Sequence, residues 1–545
     1  MEILKIENLS FSYPRCEEKA IENISFSVER GDFVTVCGAT GCGKSTLMRM
    51  MKKELTPLGE MTGKVYYKGR DLHSLPDSET ACAIGFVAQR PEEQIVTDKV
   101  WHELAFGLEN MGMDQDIIRR RVSEMTCYFG IEDWFEKSVS ELSGGQKQLL
   151  NLASVMVMQP DVLLLDEPTA QLDPIAASDF IATLSKLNRD LSLTVIITEH
   201  RLEEVIPVSN KLFAMENGTL LKYGETRETV ASLKNSTVFM QGMPAAVRLF
   251  NSFDINVPCP LTAREGRDFI ESNFANEIDT LEIQTEKAEK KETVLEFNDV
   301  YFKYGKELPD VLRGLDFKVY KGEIFCILGG NGSGKSTCLT VAAGLNRQYS
   351  GNVRVLGKKI KDYKKNELYR GCLSLLPQDV QTVFLKNTVK EELDDVKNGE
   401  YTLPYDLSAL NDRHPYDISG GQQQLLALAK VLFTEPKILL LDEPTKGLDA
   451  YAKKEIGEIL KKLRANGLTV ICVTHDVEFA AEYADRCAMF FRGEITSCGT
   501  PSEFFAGNSF YTTAANRMTR GYYKNIATVS DAVKIMTLNE NEGKK

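Results

Sequence analysis

Val162-Leu163-Leu164-Leu165-Asp166-Glu167-Pro168-Thr169, and its near copy Ile438-Leu439-Leu440-Leu441-Asp442-Glu443-Pro444-Thr445, decide how the chain reads. A run of branched apolar residues ending on two carboxylates predicts a buried parallel strand. Such a strand delivers its acids to the carboxyl edge of an α/β sheet, where ligands bind. One chain therefore carries two such edges.

Upstream of each edge stands a second strand that opens into a glycine-rich turn. Phe33 to Cys37 leads into Gly38-Ala39-Thr40-Gly41-Cys42-Gly43-Lys44-Ser45-Thr46, and Ile324 to Leu328 into Gly329-Gly330-Asn331-Gly332-Ser333-Gly334-Lys335-Ser336-Thr337. Both fit the phosphate-loop pattern G-x-x-x-x-G-K-[ST]. Glycines let backbone N–H groups close around phosphate oxygens, and the helix that follows turns its positive end toward them. In such a loop Lys44 and Lys335 reach the β- and γ-phosphates of a nucleotide, and Ser45 and Ser336 ligate Mg²⁺.

The spacing of matched residues shows a tandem duplication. Lys44 to Lys335 is 291 residues, Gln89 to Gln378 is 289, Asp166 to Asp442 is 276 and His200 to His475 is 275. Ser143 and Ser419 are also 276 apart, so the drop from 289 to 276, a loss of 13 residues, falls between the glutamine and the serine. In the first copy that interval holds helical patterns over Val100 to Asn110 and Asp116 to Phe129; in the second it is brief and contains Pro404 and Pro415. Unequal surfaces on a pseudo-symmetric pair are expected.

Asp166 and Asp442 are suited to hold Mg²⁺ through its water shell, and Glu167 and Glu443, one residue on, to polarise an attacking water. His200 and His475 each end a strand-like run, Thr194 to Thr198 and Thr469 to Thr474, where a histidine can bond the γ-phosphate and orient that water. Gln89 and Gln378 follow the strands Ile84 to Ala88 and Cys372 to Leu376; an amide there can contact Mg²⁺ or its water and relay nucleotide state to the next loop. Tyr13 and Tyr304 compete between stacking an adenine ring, worth roughly 1–3 kcal/mol by analogy with base stacking, and packing in the core.

At 545 residues, 43% hydrophobic and 26% charged, the chain has the balance of a soluble globular protein of two to four domains. No stretch approaches the roughly 18 apolar residues of a membrane span, and Met1-Glu2-Ile3-Leu4-Lys5-Ile6 lacks the regions of a signal peptide. A net charge of -13 argues against phosphate backbone as the main partner, so no nucleic acid is expected. Twelve cysteines without a Cys-x-x-Cys pair indicate free thiols in a reducing cytosol rather than zinc or a disulfide framework. Residues 235–292 are expected to be a linker, with a solvated tract of both charges from Glu282 to Glu292.

Leu142-Ser143-Gly144-Gly145-Gln146 and Ile418-Ser419-Gly420-Gly421-Gln422 are the most specific marks in the chain. With the residues above they resemble the ATP-binding-cassette superfamily from about Ile3 to Ala506. The resemblance implies an α/β fold of two tandem P-loop ATPase domains, each with a nucleotide core sheet and a helical signature subdomain. The expected boundaries are 1–234 for the first domain, 293–506 for the second and 507–545 for a C-terminal extension. ATP and Mg²⁺ are the implied cofactors. Each signature sequence serves the opposite domain's nucleotide in this family. Site one would then combine Lys44, Ser45, Gln89, Asp166, Glu167 and His200 with Ser419, Gly421 and Asp449. Site two would use Ser143, Gly145 and Asp173 with the matching residues of the second copy. Gly38, Gly41, Gly43 and Thr46, and Gly329, Gly332, Gly334 and Thr337, complete the nucleotide-binding set. Both copies keep lysine, glutamate, signature serine and histidine, so two competent sites are expected.

Gln89-Arg90-Pro91-Glu92-Glu93-Gln94-Ile95, with Glu103-Leu104-Ala105-Phe106-Gly107-Leu108-Glu109-Asn110 behind it, Thr198-Glu199-His200-Arg201-Leu202 and Leu261-Thr262-Ala263-Arg264-Glu265-Gly266 resemble energy-coupling-factor import ATPases. That group implies a transmembrane coupling subunit, a membrane subunit that captures a vitamin or metal ion, and a peripheral position on the cytoplasmic face of the cell membrane. Glu92 and Glu93 could meet basic ends of coupling helices. The second copy, Gln378-Asp379-Val380-Gln381-Thr382-Val383-Phe384, is more apolar and lacks the acidic pair, which predicts two different docking grooves. The competing class is the soluble tandem cassette that acts on ribosomes. It calls for a long basic connection, whereas this one is mixed in charge.

Overall fold

The structure is a computed structural model that describes residues 1–16, 18–274, 280, 292–364, 366–396 and 402–542. It divides into two compact units, residues 1–247 with 255–262, and residues 248–254 with 263–545.

In the first unit the strand order is Thr219–Glu225, Lys211–Glu216, Phe33–Cys37, Thr194–Thr198, Val162–Asp166, Ile84–Val87. Every neighbour is parallel except the first pair. Phe33–Cys37, Val162–Asp166 and Thr194–Thr198 are buried along their whole length, which is why they read as continuous apolar runs rather than alternating ones. A four-stranded antiparallel sheet, Ile21–Glu29, Glu2–Ser12, Glu60–Tyr67 and Arg70–Asp71, shares a core with one face of it. Val34, Val36, Leu164 and Ile196 supply that face, with Leu47, Met48 and Met50 from the helix Lys44–Met50.

The second unit repeats the plan as Leu373–Leu376, Ile438–Asp442, Thr469–Thr474, Ile324–Leu328, Arg486–Phe491, Glu494–Gly499. Here the period of two is plain. Phe325, Ile327, Leu440, Ile471 and Val473 join the core under its antiparallel sheet; Ile324, Cys326, Leu439, Leu441, Val470 and Cys472 join the core under the helices.

The shortened interval behaves as expected. The first copy forms helices Val100–Asn110 and Gln115–Phe129, the latter one residue longer at its start than its pattern suggests. The second copy forms Val389–Asp394, and residues 397–401 lie outside the described set.

The expected linker differs. Residues from 237 to 273 hold three helices, Thr237–Gly242, Ala245–Asn251 and Ala263–Asn273, and Ala245, Ala246, Val247 and Leu249 are fully buried. Burial of that apolar run outweighs the neighbouring charge that suggested a solvated connection. Of the tract Glu282 to Glu292, all but Glu292 lies outside the described residues. Nor is 507–545 a separate extension: Ala514–Thr519 packs on Ala263–Asn273, and Ile526, Ala532, Ile535 and Met536 are fully buried in the second unit.

These helices reveal a repeat beyond the nucleotide core. Ala245-Ala246-Val247-Arg248 and Ala514-Ala515-Asn516-Arg517 are 269 residues apart, and each opens a helix followed by another, Ala263–Asn273 or Val529–Glu542. Ala245 N donates to Glu203 Oε2 at 2.8 Å, and Ala514 N donates to Glu478 Oε1 at 2.8 Å. Glu203 and Glu478 stand at the same place, three residues beyond His200 and His475.

Candidate functional site

In each unit the glycine-rich turn leaves the carboxyl end of a central strand and becomes a helix at its lysine. Gly43 and Gly334, the caps of those helices, have φ of 99° and 109°, the left-handed region that side chains disfavour. A Cβ on Gly43 would also stand 2.4 Å from Ala20 O. Lys44 Nζ donates to Gly38 O at 2.9 Å and Ala39 O at 3.0 Å; Lys335 Nζ donates to Gly329 O at 2.8 Å and Gly330 O at 2.9 Å. Both ammonium groups are thus held over the hollow of their own loop.

The hydroxyl and carboxylate after and beneath each loop meet. Ser45 Oγ donates to Asp166 Oδ1 at 3.1 Å, and Ser336 Oγ donates to Asp442 Oδ1 at 3.0 Å. Thr198 Oγ1 also donates to Asp166 Oδ1 at 2.8 Å, through the in-register pairing of Asp166 with Thr198. Burial pushes both aspartate carboxyls up, against the hydrogen bonds that favour their ionised forms. An added cation would relieve that penalty. Serine hydroxyl and carboxylate are hard oxygen donors of the kind Mg²⁺ takes. Gly41 and Gly332 leave open space where a Cβ would be, and Ser333 Oγ is buried with no partner among the described residues. These features fit a triphosphate with its Mg²⁺.

Beside the metal pair, Glu167 and Glu443 have φ of 47° and 50°, an uncommon backbone for glutamate that turns their side chains out of the strand line. In the first unit Gln89 Nε2 donates to Glu167 Oε2 at 3.0 Å and His200 Nε2 lies 2.7 Å from Glu167 Oε1. In the second, His475 Nδ1 lies 2.9 Å from Glu443 Oε2, and the backbone N of His475 donates to that oxygen at 3.3 Å. Gln378 is exposed and has no hydrogen-bonded partner among the described residues, so the amide–carboxylate link exists in one unit only.

Tyr13 and Tyr304 both lean on the helix after the loop. Their hydroxyls lie 3.0 Å from Thr46 Oγ1 and 2.9 Å from Thr337 Oγ1; Tyr304 is 61% exposed, whereas Tyr13 is half-buried and packs against the core of the first unit.

Ser143 and Ser419 cap the helices Gly144–Met156 and Gly420–Leu432, each in a capping box with the glutamine three residues on. Gly144 and Gly420 face open space; a Cβ on Gly145 would lie 3.3 Å from Ala176 and one on Gly421 3.1 Å from Ala452. Those alanines belong to helices capped by Asp173 and Asp449. Glycine therefore lets two helix starts, each with free N–H donors, approach closely.

Sequence reading gave no role of their own to Glu199, buried beside His200, or to the glutamates Glu103 and Glu392 behind the glutamine loops. A signal for the last two was present in the 289-residue match of Glu103 with Glu392.

The sequence matches the ABC transporter family over residues 21–170 and 312–446. A Bacillus cereus protein named "Putative ABC transporter ATP-binding protein" is 42% identical over 534 residues, covering 95% of each chain. The "Putative HMP/thiamine import ATP-binding protein YkoD" of Bacillus subtilis is 30% identical over 518 residues, covering 93% of each. The structure of cbiO1 from Clostridium perfringens, described as part of the ABC transporter complex cbiONQ, aligns with 43% of this chain and 96% of its own at 30% identity and a TM-score of 0.39. The ribosome-acting alternative finds no support among these relatives. Two family matches on one polypeptide, with relatives that span nearly the whole of it, mean that the chain belongs to the ABC transporter family as an ATP-binding, ATP-hydrolysing subunit with two fused cassettes.

Proposed function

We propose that the chain is the energy-coupling subunit of a membrane importer, driving uptake of a vitamin or metal-ion micronutrient through separate membrane subunits from the cytoplasmic face. Lys44 and Lys335 hold the phosphates, while Ser45 with Asp166 and Ser336 with Asp442 hold Mg²⁺, assisted by Gln89 and Gln378. Mg²⁺ neutralises phosphate charge when bound. Glu167 and Glu443 take the proton of the attacking water, and His200 and His475 hold those carboxylates in line with it. Ser143 with Gly145, and Ser419 with Gly421, are assigned to the γ-phosphate of an ATP held by the opposite copy, so that hydrolysis weakens closure.

The observation that carries the coupling role is the loop from Gln89 to Glu93. Its head, Gln89, is bonded to Glu167, and three residues on the exposed Glu92 pairs with Lys147 of the helix Gly144–Met156 at 3.0 Å. A change at the hydrolytic carboxylate is thereby felt at an exposed acidic surface and at the signature helix. Similarity to a protein named for HMP/thiamine import supports uptake as the direction. Among the described residues no helix is long and apolar enough to cross a membrane, so translocation is assigned to partner subunits.

Two measurements test this reading. Mild-detergent purification from membranes should recover a transmembrane coupling protein and a small substrate-capture protein; recovery of ribosomal particles alone would overturn it. Exchanging residues 89–95 with 378–384 should abolish uptake while ATP turnover stays within about twofold, and preserved uptake would show that the two loops do not dock different helices.

A further inference from the structure

Three consecutive residues of the first unit hold the loop that follows the hydrolytic strand. Glu199 Oε1 accepts the backbone N–H of Thr169 at 2.9 Å, and Glu199 Oε2 accepts that of His200 at 3.2 Å. Arg201 Nη2 donates to Leu172 O at 2.8 Å, one residue before Asp173. Glu199 is 3% exposed, and burial pushes its carboxyl up while its hydrogen bonds with Thr169 pull it down. A buried carboxylate that accepts one bond at each oxygen is a rigid two-ended strut. Here it joins the segment after Glu167 to the segment carrying His200.

The second unit lacks this strut. Counting back from the histidine, Thr474 stands where Glu199 does, and Asp476 where Arg201 does. Thr474 Oγ1 accepts the N–H of Asp476 at 3.0 Å, and Asp476 pairs with Lys453 of the helix Ala450–Ala465 at 2.6 Å. The N–H of His475, which is preceded by a threonine rather than a carboxylate, bonds Glu443 instead. The ring geometry differs as well: His200 Nε2 lies 2.7 Å from Glu167 Oε1, whereas in the second unit it is His475 Nδ1 that lies 2.9 Å from Glu443 Oε2, without hydrogen-bond geometry. Where Glu199 accepts the histidine N–H, Glu167 meets Gln89 at one oxygen and the His200 ring at the other.

We infer that Glu199 is a positioning residue of the first ATP site alone, holding Glu167 and His200 in register for water attack, and that the two sites of this chain hydrolyse ATP with different residue geometry. This rests on the assignment of Glu167 and Glu443 as the hydrolytic bases. Glu199 touches neither nucleotide nor water in this scheme; it acts through the two segments it ties.

The test uses the full chain with one site silenced at a time. In the Glu443→Gln background, where the first site turns over, Glu199→Thr should lower kcat on the order of tenfold to a hundredfold, since a misplacement near 1 Å costs that much, with KM for ATP within about twofold. In the Glu167→Gln background, where the second site turns over, the same substitution should leave kcat within about twofold. Glu199→Gln keeps the shape and one acceptor, so it should recover part of the loss; it also serves as the test if the threonine variant does not fold. Unchanged kcat in the Glu443→Gln background, or equal losses in both backgrounds, would overturn the inference. Failure of the underlying assignment looks different: the two parent variants would then keep wild-type turnover before Glu199 is touched.

Discussion

Replacing Glu167 and Glu443 together by glutamine is expected to lower steady ATP turnover by about 10²–10⁴-fold, the range that a positioned general base contributes, while ATP binding persists. Glutamine keeps the volume and one acceptor of each glutamate but cannot take a proton from water. The surrounding geometry gives it little reason to move. Glu167 N donates to Thr198 O at 3.0 Å and to Thr198 Oγ1 at 2.9 Å, and Glu443 N donates to Val473 O at 2.8 Å, so the backbone is pinned where the uncommon φ begins. The lysine loops and the serine–aspartate pairs are untouched by the change. The double variant should therefore retain bound ATP through gel filtration in Mg²⁺ and release phosphate only slowly. Turnover within threefold of the parent would remove both glutamates from the role of base.

The second large effect concerns stability. Glu392 is fully buried; it accepts the backbone N–H groups of Leu385 and Lys386 and pairs with Lys430, whose Nζ also donates to Val383 O at 2.6 Å. This network fastens the end of the apolar glutamine loop to the signature helix Gly420–Leu432. Substituting Glu392→Leu leaves the ammonium buried without its counter-charge, an imbalance of about 3–5 kcal/mol. At roughly 2–4 °C per kcal/mol for a domain of this size, the melting transition of the second unit should fall by on the order of 10 °C. The pair Glu392→Leu with Lys430→Met should recover the part due to the stranded charge, leaving about 1–3 kcal/mol for the Leu385 and Lys386 N–H groups that lose their acceptor. Calorimetry of the intact chain separates the outcomes: a double variant as unstable as the single one would mean that packing, not the stranded ammonium, carries the loss. Glu103, the matched residue of the first unit, accepts from Val96 N at 3.1 Å and Thr97 N at 2.8 Å, and the position matching Lys430 is Ser154. Glu103→Leu strands no charge and should cost less, about 1–3 kcal/mol.

Much of the site was legible in one dimension because its parts are local. A phosphate loop needs its glycines, lysine and serine consecutive, and the strand Val162–Asp166 advertises itself by being apolar on both faces. The matched spacings then showed that everything occurs twice. The connection was harder. Its charged tract drew attention away from Ala245-Ala246-Val247, whose short apolar run resembles many others until it is buried. The tail stayed unassigned for the same reason, since its repeat of that run is only a few residues long.

The amino-acid order by itself determined the duplicated α/β plan, the two phosphate loops and the identity of the carboxylates at their edges, because each depends on neighbours in the chain. Tertiary structure alone decided which partner each of those groups keeps. Gln89 reaches Glu167 while Gln378 is exposed, and one histidine presents Nε2 where its counterpart presents Nδ1. The backbone N–H of the histidine also changes acceptor, from the buried Glu199 in the first unit to Glu443 in the second. The sequence shows which residue precedes each histidine, but which acceptor its N–H takes is settled by distances within the folded site.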